Sequence, residues 1–237
     1  MSDHPILMLD ALSYGWPGVS VPCINIAHFA LAAEERVFLH GPSGSGKSTL
    51  LALLGGVLAP QQGTIRLLDT DLTALSASAR DRFRVDHIGF IFQQFNLIPY
   101  LSVVENTLLP CWFSTRRRAR ATAAGLTVRE EASRLLRQLG LGPELRDRAV
   151  TSLSVGQQQR VAAARALIGR PEMIIADEPT SSLDAARQKD FLDLLFHECD
   201  AAQATLLFVS HDHRLATHFT REVALPDLNR AVIEESN

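Results

Sequence analysis

The chain has 237 residues, 46 % of them apolar and 21 % charged, with 14 glycines and 11 prolines. That balance can bury a core and excludes a disordered, collagen-like or coiled-coil chain. A formal charge of −3 gives no overall basic field for nucleic acid or anionic lipid.

Cys23, Cys111 and Cys199 lie far apart and form no CxxC pair. A disulfide framework is therefore not expected, and a reducing compartment is. Met1–Pro5 lacks the basic start and apolar run of a secretory leader. No apolar stretch approaches the ~20 residues that cross a bilayer, so a membrane role is expected to come through a partner.

In chain order, Ile6–Leu12 reads as a strand, Gly15–Gly18 as a Gly/Pro turn and Arg36–His40 as a second strand. The glycine-rich stretch Gly41–Gly46 follows. After it Leu50, Leu51, Leu54 and Val57 recur on one side of a predicted helix. Ile65–Leu68 and Ile88–Phe92 are further strands. From Pro99 to Gly169 the pattern is mostly helical. Between Cys111 and Arg129 it is polar and arginine-rich, read as a loop or frayed helix. Arg116, Arg117, Arg118 and Arg120 are expected to form a solvated face. Glu130–Leu139 is a helix stopped by Gly140. Met173–Ala176 and Leu206–Val209 are apolar strands, Ala185–Cys199 is a helix, and Arg214–Phe219 is a short one. Alternation of strands and helices implies a mostly parallel sheet with helices on both faces.

Gly41-Pro42-Ser43-Gly44-Ser45-Gly46-Lys47-Ser48 fits GxxxxGK[ST], between a predicted strand and a predicted helix, with Thr49 next in line. Glycines let the backbone turn its N–H groups around phosphate oxygens, and the following helix points its positive end at the same anion. Lys47 is the charge for the β- and γ-phosphates and Ser48 the Mg²⁺ ligand. The motif supports a nucleoside triphosphate with Mg²⁺, without separating kinase, GTPase, ATPase or transporter motor. Met173–Ala176 then ends in Asp177 and Glu178. Ligands bind at the carboxyl ends of strands in such sheets. Asp177 is expected in the Mg²⁺ shell and Glu178 as the base that orients the attacking water. Ser154 and Gln157 have capping-box spacing at the start of another helix.

Together these segments resemble the ATP-binding subunit of ABC transporters, over nearly the whole chain. Leu153-Ser154-Val155-Gly156-Gln157 looks like the ABC signature, Gln93 matches the Q-loop glutamine, and Ser181–Asp184 looks like the D-loop. His211 matches the switch histidine. Trp16 falls where the family stacks adenine, with Tyr14 as the fallback. The stretch Ile88–Pro99 with Glu105 and Asn106 is most similar to the branch serving lipoprotein release and macrolide export. Val155, Ser182 and Trp16 depart from the residues usual there. The resemblance implies an α/β P-loop NTPase fold with a mostly parallel central sheet, an antiparallel β subdomain and an inserted α-helical subdomain. Its expected layout is a core with β subdomain at about 1–98 and 166–237, and a helical part at about 99–165.

The resemblance further implies an ATPase that closes as an ATP-dependent homodimer. Ser154, Gly156 and Gln157 of one copy would face the other copy's nucleotide, and Asp184 would couple the two sites. Gln93 would sense Mg²⁺ and the γ-phosphate. An integral-membrane permease is the expected partner and nucleic acid is not. The subunit would be peripheral, on the cytoplasmic face of the inner membrane. Phe95, Leu97, Ile98, Pro99 and Tyr100 are expected to line a groove for a permease helix. Lipoprotein, lipid or drug-like cargo is implied. The alternatives are an ABC-type ATPase that transmits force without moving solute, or a soluble non-transport one. His213 and His218, five residues apart, fit one helical face poorly, so no zinc site is expected among the C-terminal histidines.

Overall fold

The computed structural model describes residues 5–19 and 21–231. Met1–His4, which carry most of the leader question, lie outside the described residues. The chain divides into two units, Met1–Arg84 with Leu207–Asn237, and Val85–Leu206.

In the first unit, β1 (Pro5–Tyr14), β2 (Ile24–Ala32), β4 (Gln62–Leu67) and β5 (Thr70–Asp71) form an antiparallel sheet in the order β2-β1-β4-β5. Strand β1 buries Leu7 and Leu9, then Leu12 and Tyr14. The period of two slips by one residue at Ala11, which has φ 47°. There the pairing with β4 shifts register. This is a β-bulge, and it carries the apolar face of the strand on towards Tyr14. Gly63 faces the bulge, where any Cβ would collide with the Asp10 and Ala11 carbonyls.

Strand β3 (Arg36–His40) pairs in parallel with β9 (Arg221–Ala224), from Val37 opposite Arg221 to His40 opposite Ala224. Val37, Phe38 and Leu39 are fully buried. Helix α1 (Lys47–Leu54) starts after the glycine-rich loop. It buries Leu50, Leu51, Leu53 and Leu54, but it ends there, and Val57 is exposed. The expected apolar side is thus one turn too long, because Gly55 and Gly56 interrupt the helix before Val57. Helix α2 (Ala77–His87) and strand β8 (Thr205–Val209) each run across a unit boundary.

In the second unit, β6 (Ile88–Ile91) and β7 (Met173–Asp177) pair in parallel, with Ile91 opposite Ala176. Four helices lie between them in the chain: α3 (Val103–Phe113), α4 (Thr115–Thr122), α5 (Val128–Gln138) and α6 (Val155–Leu167). Helix α7 (Ala185–Ala202) follows β7. Three of the helix starts are closed by reciprocal capping boxes, Ser102 with Glu105, Thr127 with Glu130 and Ser154 with Gln157. Gly140 adopts the left-handed conformation just past α5, as its position predicts.

The arginine-rich stretch is a helix, not a loop. Ser114 caps α4 by accepting from Arg117 N–H. Arg117 is buried and donates to the Ala166 carbonyl, while Arg116 and Arg120 both reach Glu172. Arg116 and Arg118 stay exposed, as a solvated face requires, whereas Arg117 is buried because the Ala166 carbonyl takes its donor, so the run is solvated on one side and anchored on the other.

Candidate functional site

Within the first unit the glycine-rich loop leaves β3 at His40 and enters α1 at Lys47. Gly44 and Gly46 have φ of 78° and 97°, in the left-handed region that only glycine adopts at low cost. At Gly46 a Cβ would lie 2.8 Å from Ile24 Cδ1 and 3.1 Å from the Cys23 carbonyl. Lys47 Nζ donates back over the loop to the carbonyls of Gly41 (2.7 Å) and Pro42 (2.9 Å). The ammonium is therefore held at the mouth of the loop. Ser43, Gly44 and Ser48 are exposed, and Thr49 is half-buried. Ser45 is buried, and its Oγ has no hydrogen-bond partner among the described residues.

A residue that the sequence pattern did not single out braces this loop. Asn229 is buried, and its Nδ2 donates to Cys23 O (2.9 Å) and Ser45 O (3.3 Å). Its Oδ1 accepts from the backbone N–H of Asn25 (2.7 Å) and Ala231 (3.2 Å). No short-range signal marks its bracing role, since the three partners in Cys23, Asn25 and Ser45 lie about two hundred positions earlier in the chain. Gln61 acts similarly at the other turn, accepting from Gly15 N–H (2.8 Å) and donating to Gly15 O (3.0 Å). That turn carries Trp16, which is 47 % exposed, beside Tyr14, which is 8 % exposed. Their rings meet edge to face at 5.4 Å. Of the two aromatics, Trp16 offers a free ring face.

His211 lines the same concavity as Gly41 and Pro42, a space of about 420 Å³. Its turn is held by Asp212, which accepts from Arg214 Nε (2.8 Å) and Nη2 (2.6 Å). Those bonds bring the Asp212 carboxyl down to about 2. The segment expected as a short helix at Arg214–Phe219 is a 3₁₀ turn over His213–His218.

The second unit gathers the other set. Parallel pairing sets Ile91 against Ala176, so Gln93 and Asp177 both emerge at the carboxyl edge of β6 and β7. Met173–Ala176 are fully buried, and Asp177 is half-buried. Glu178 is 8 % exposed and takes φ 47°. A non-glycine residue in that conformation stores backbone strain, a feature concentrated at functional sites. Phe95, expected in a docking groove, is buried with φ 58°. Its carbonyl and that of Asn96 accept from Arg165. It belongs to the core of its unit, while Tyr100 stays 83 % exposed.

Ser154 caps α6, accepting from Gln157 N–H (3.3 Å) and holding Gln157 Oε1 on its own N–H (3.0 Å). Val155 is an ordinary first-turn helical residue, and Gly156 follows it. Asp184 caps α7 by accepting from Arg187 N–H (3.0 Å). The start of α6, with Ser154, Gly156, Gln157 and Arg160, lines one concavity of about 680 Å³ together with Ser182 and with Arg187 and Asp190 of α7. Gln159 also lines it, and its buried amide finds no partner among the described residues. The positive start of α6, Arg160, Arg187 and the unsatisfied amide favour an anion there, against the single carboxylate of Asp190.

The family model described as ABC transporter matches residues 24–181. The lipoprotein-releasing system ATP-binding protein LolD of Novosphingobium aromaticivorans is 40 % identical over 231 residues, 95 % of this chain and 97 % of that one. The macrolide export ATP-binding/permease protein MacB of Rhodopirellula baltica is 39 % identical over 207 residues, 87 % of this chain. The match spans only 29 % of that protein's length. Among solved structures, the dimeric ATP-binding cassette MJ0796 in a post-hydrolysis state with ADP and Pi has a TM-score of 0.80. It is 31 % identical, covering 92 % of this chain and 93 % of that one. The fold class is accordingly that of a P-loop NTPase cassette, with parallel and antiparallel β-structure and helices.

Proposed function

The chain belongs to the ABC transporter family, and from that premise we propose that it binds and hydrolyses ATP to drive a membrane permease. The observation that carries the reading is the phosphate loop. Its left-handed Gly44 and Gly46 turn backbone amides towards an anion, and the start of α1 adds its dipole. The orphaned Ser45 hydroxyl beside them is a donor awaiting an acceptor.

Lys47 would neutralise the β- and γ-phosphates, and Trp16 would stack on adenine. Ser48, Asp177 and Gln93 offer only oxygen donors, the chemistry that suits Mg²⁺. When bound, the ion would neutralise charge on the phosphates. Glu178 would take a proton from water as its oxygen bonds to the γ-phosphorus and the bond to ADP breaks. His211 would hold that water and the γ-phosphate. The concavity at the start of α6 would receive the triphosphate bound to a second copy, through Ser154, Gly156 and Gln157, and Asp184 would link the two sites.

The relatives' names support a permease partner and cargo of the lipoprotein, lipid or drug-like class. The exposed aromatic rings of Tyr100 and Phe113 support docking onto another protein through the second unit. No helix among the described residues is long and apolar enough to cross a membrane. A peripheral position on the cytoplasmic face of the inner membrane, through the permease, is the setting this reading implies.

Glu178→Gln tests the proposal. It should keep ATP binding and slow hydrolysis by about 10²–10⁴-fold, the usual worth of a general base. Single-turnover rates of the purified variant near those of the wild type would remove Glu178 from the reaction.

A further inference from the structure

We propose that His40, His213 and Glu222 form a binding site for a divalent transition-metal ion of the Zn²⁺ class. One donor atom from each of the three lies within 4.8 Å of the other two. His40 Nε2 is 3.1 Å and His213 Nδ1 is 3.4 Å from the same carboxylate atom, Glu222 Oε1. Ligands at ~2.0–2.1 Å from a tetrahedral ion stand about 3.4 Å apart. Two of the three edges therefore already have metal-site length. The His40 and His213 rings meet edge-on, with centroids 4.2 Å apart, so closing the third edge calls for a rotamer adjustment of the exposed His213.

The fold explains why the three converge. In the parallel pairing of β3 with β9, Phe38 stands opposite Glu222 and His40 opposite Ala224. His40 and Glu222 thus share one face of the sheet and sit on a diagonal. His213 opens the 3₁₀ turn after β8 and swings over that face. His40 is largely covered, whereas His213 and Glu222 are open to solvent. An ion could enter from water and keep a water as its fourth ligand.

Two imidazoles and one carboxylate favour Zn²⁺ and its neighbours over Mg²⁺, which prefers oxygen. This is therefore a different site from that of the nucleotide's Mg²⁺. Without metal, each imidazole can donate a ring N–H to Oε1. With metal, that nitrogen gives up its proton, and the ring carries its hydrogen on the other nitrogen. His213, which looked unpromising by its spacing from His218 in the sequence, finds its partner in His40, far away along the chain. A bound ion would tie the turn two residues beyond His211 to the strand that feeds Gly41.

The test is competition between the full chain and a chromophoric chelator for ZnCl₂, with Mg²⁺ in excess and no nucleotide. One equivalent should bind. His213→Ala and Glu222→Gln should each weaken binding at least tenfold with the circular dichroism unchanged, and His218→Ala should bind as the wild type does. X-ray absorption of the loaded protein should show an imidazole-containing nitrogen and oxygen shell. Equal affinity in wild type, His213→Ala and Glu222→Gln would overturn the site, as would a sulfur shell or failure to compete for the ion.

Discussion

Asn229 shows how one side chain can hold a site that it does not enter. It satisfies four backbone groups, including the carbonyl of Ser45 within the phosphate loop and that of Cys23 behind Gly46. Losing it would strand buried donors and acceptors, each worth about 1–3 kcal/mol. Asn229→Ala should therefore lower stability by about 2–4 kcal/mol in urea unfolding and weaken nucleotide binding in titration. An unchanged unfolding midpoint would mean that water replaces the amide at no cost. Gly46→Ala should be at least as harmful to binding. Its φ is 97° and its neighbours leave a Cβ 2.8 Å from Ile24, so the loop must distort whatever residue replaces glycine. A nucleotide affinity equal to that of the wild type would show that the loop does not need this conformation.

At the scale of elements, helix α4 is organised by an acid outside it. Glu172 accepts from Arg116 at 2.7 Å and from His87 at 2.9 Å, and pairs with Arg120 at 2.7 Å. Burial pushes the Glu172 carboxyl up, but the bonds from His87 and Arg116 and the nearby positive charges outweigh it, and the carboxyl falls to about 2. A carboxylate depressed by folding contributes stability above its unfolded value, near 4.5. That contribution fades as pH falls from there towards about 2. Glu172→Gln should flatten this part of the pH–stability curve and cost stability at pH 7. Parallel acid unfolding curves for variant and wild type would place the acid-sensitive group elsewhere. Burial also lowers the Arg117 guanidinium to about 10, which leaves it charged at neutral pH. Its donation to the Ala166 carbonyl anchors α4 within its own unit.

For the molecule as a whole, the proposed chemistry needs two copies, because the proposal assigns the concavity at the start of α6 to another copy's nucleotide. A two-fold pair supplies both halves twice. On this proposal ATP would favour closure by binding the closed pair better than the open one. The Glu178→Gln variant should run as a dimer on size exclusion with ATP and Mg²⁺ and as a monomer without them. A monomer under both conditions would detach the signature segment from nucleotide.

The sequence by itself determined what is written in short-range pattern. The strand, loop and helix around Lys47, the capping of α6 by Ser154, the apolar run ending in Asp177 and Glu178, and the glycine stop after α5 all follow from neighbours within a few positions. Only the tertiary structure decided that Phe95 is core, that Arg117 is buried, that Asn229 braces the phosphate loop and that His40 meets His213. Each of these rests on groups far apart in the chain, and partners joined only through space leave no period or spacing for a linear reading to detect.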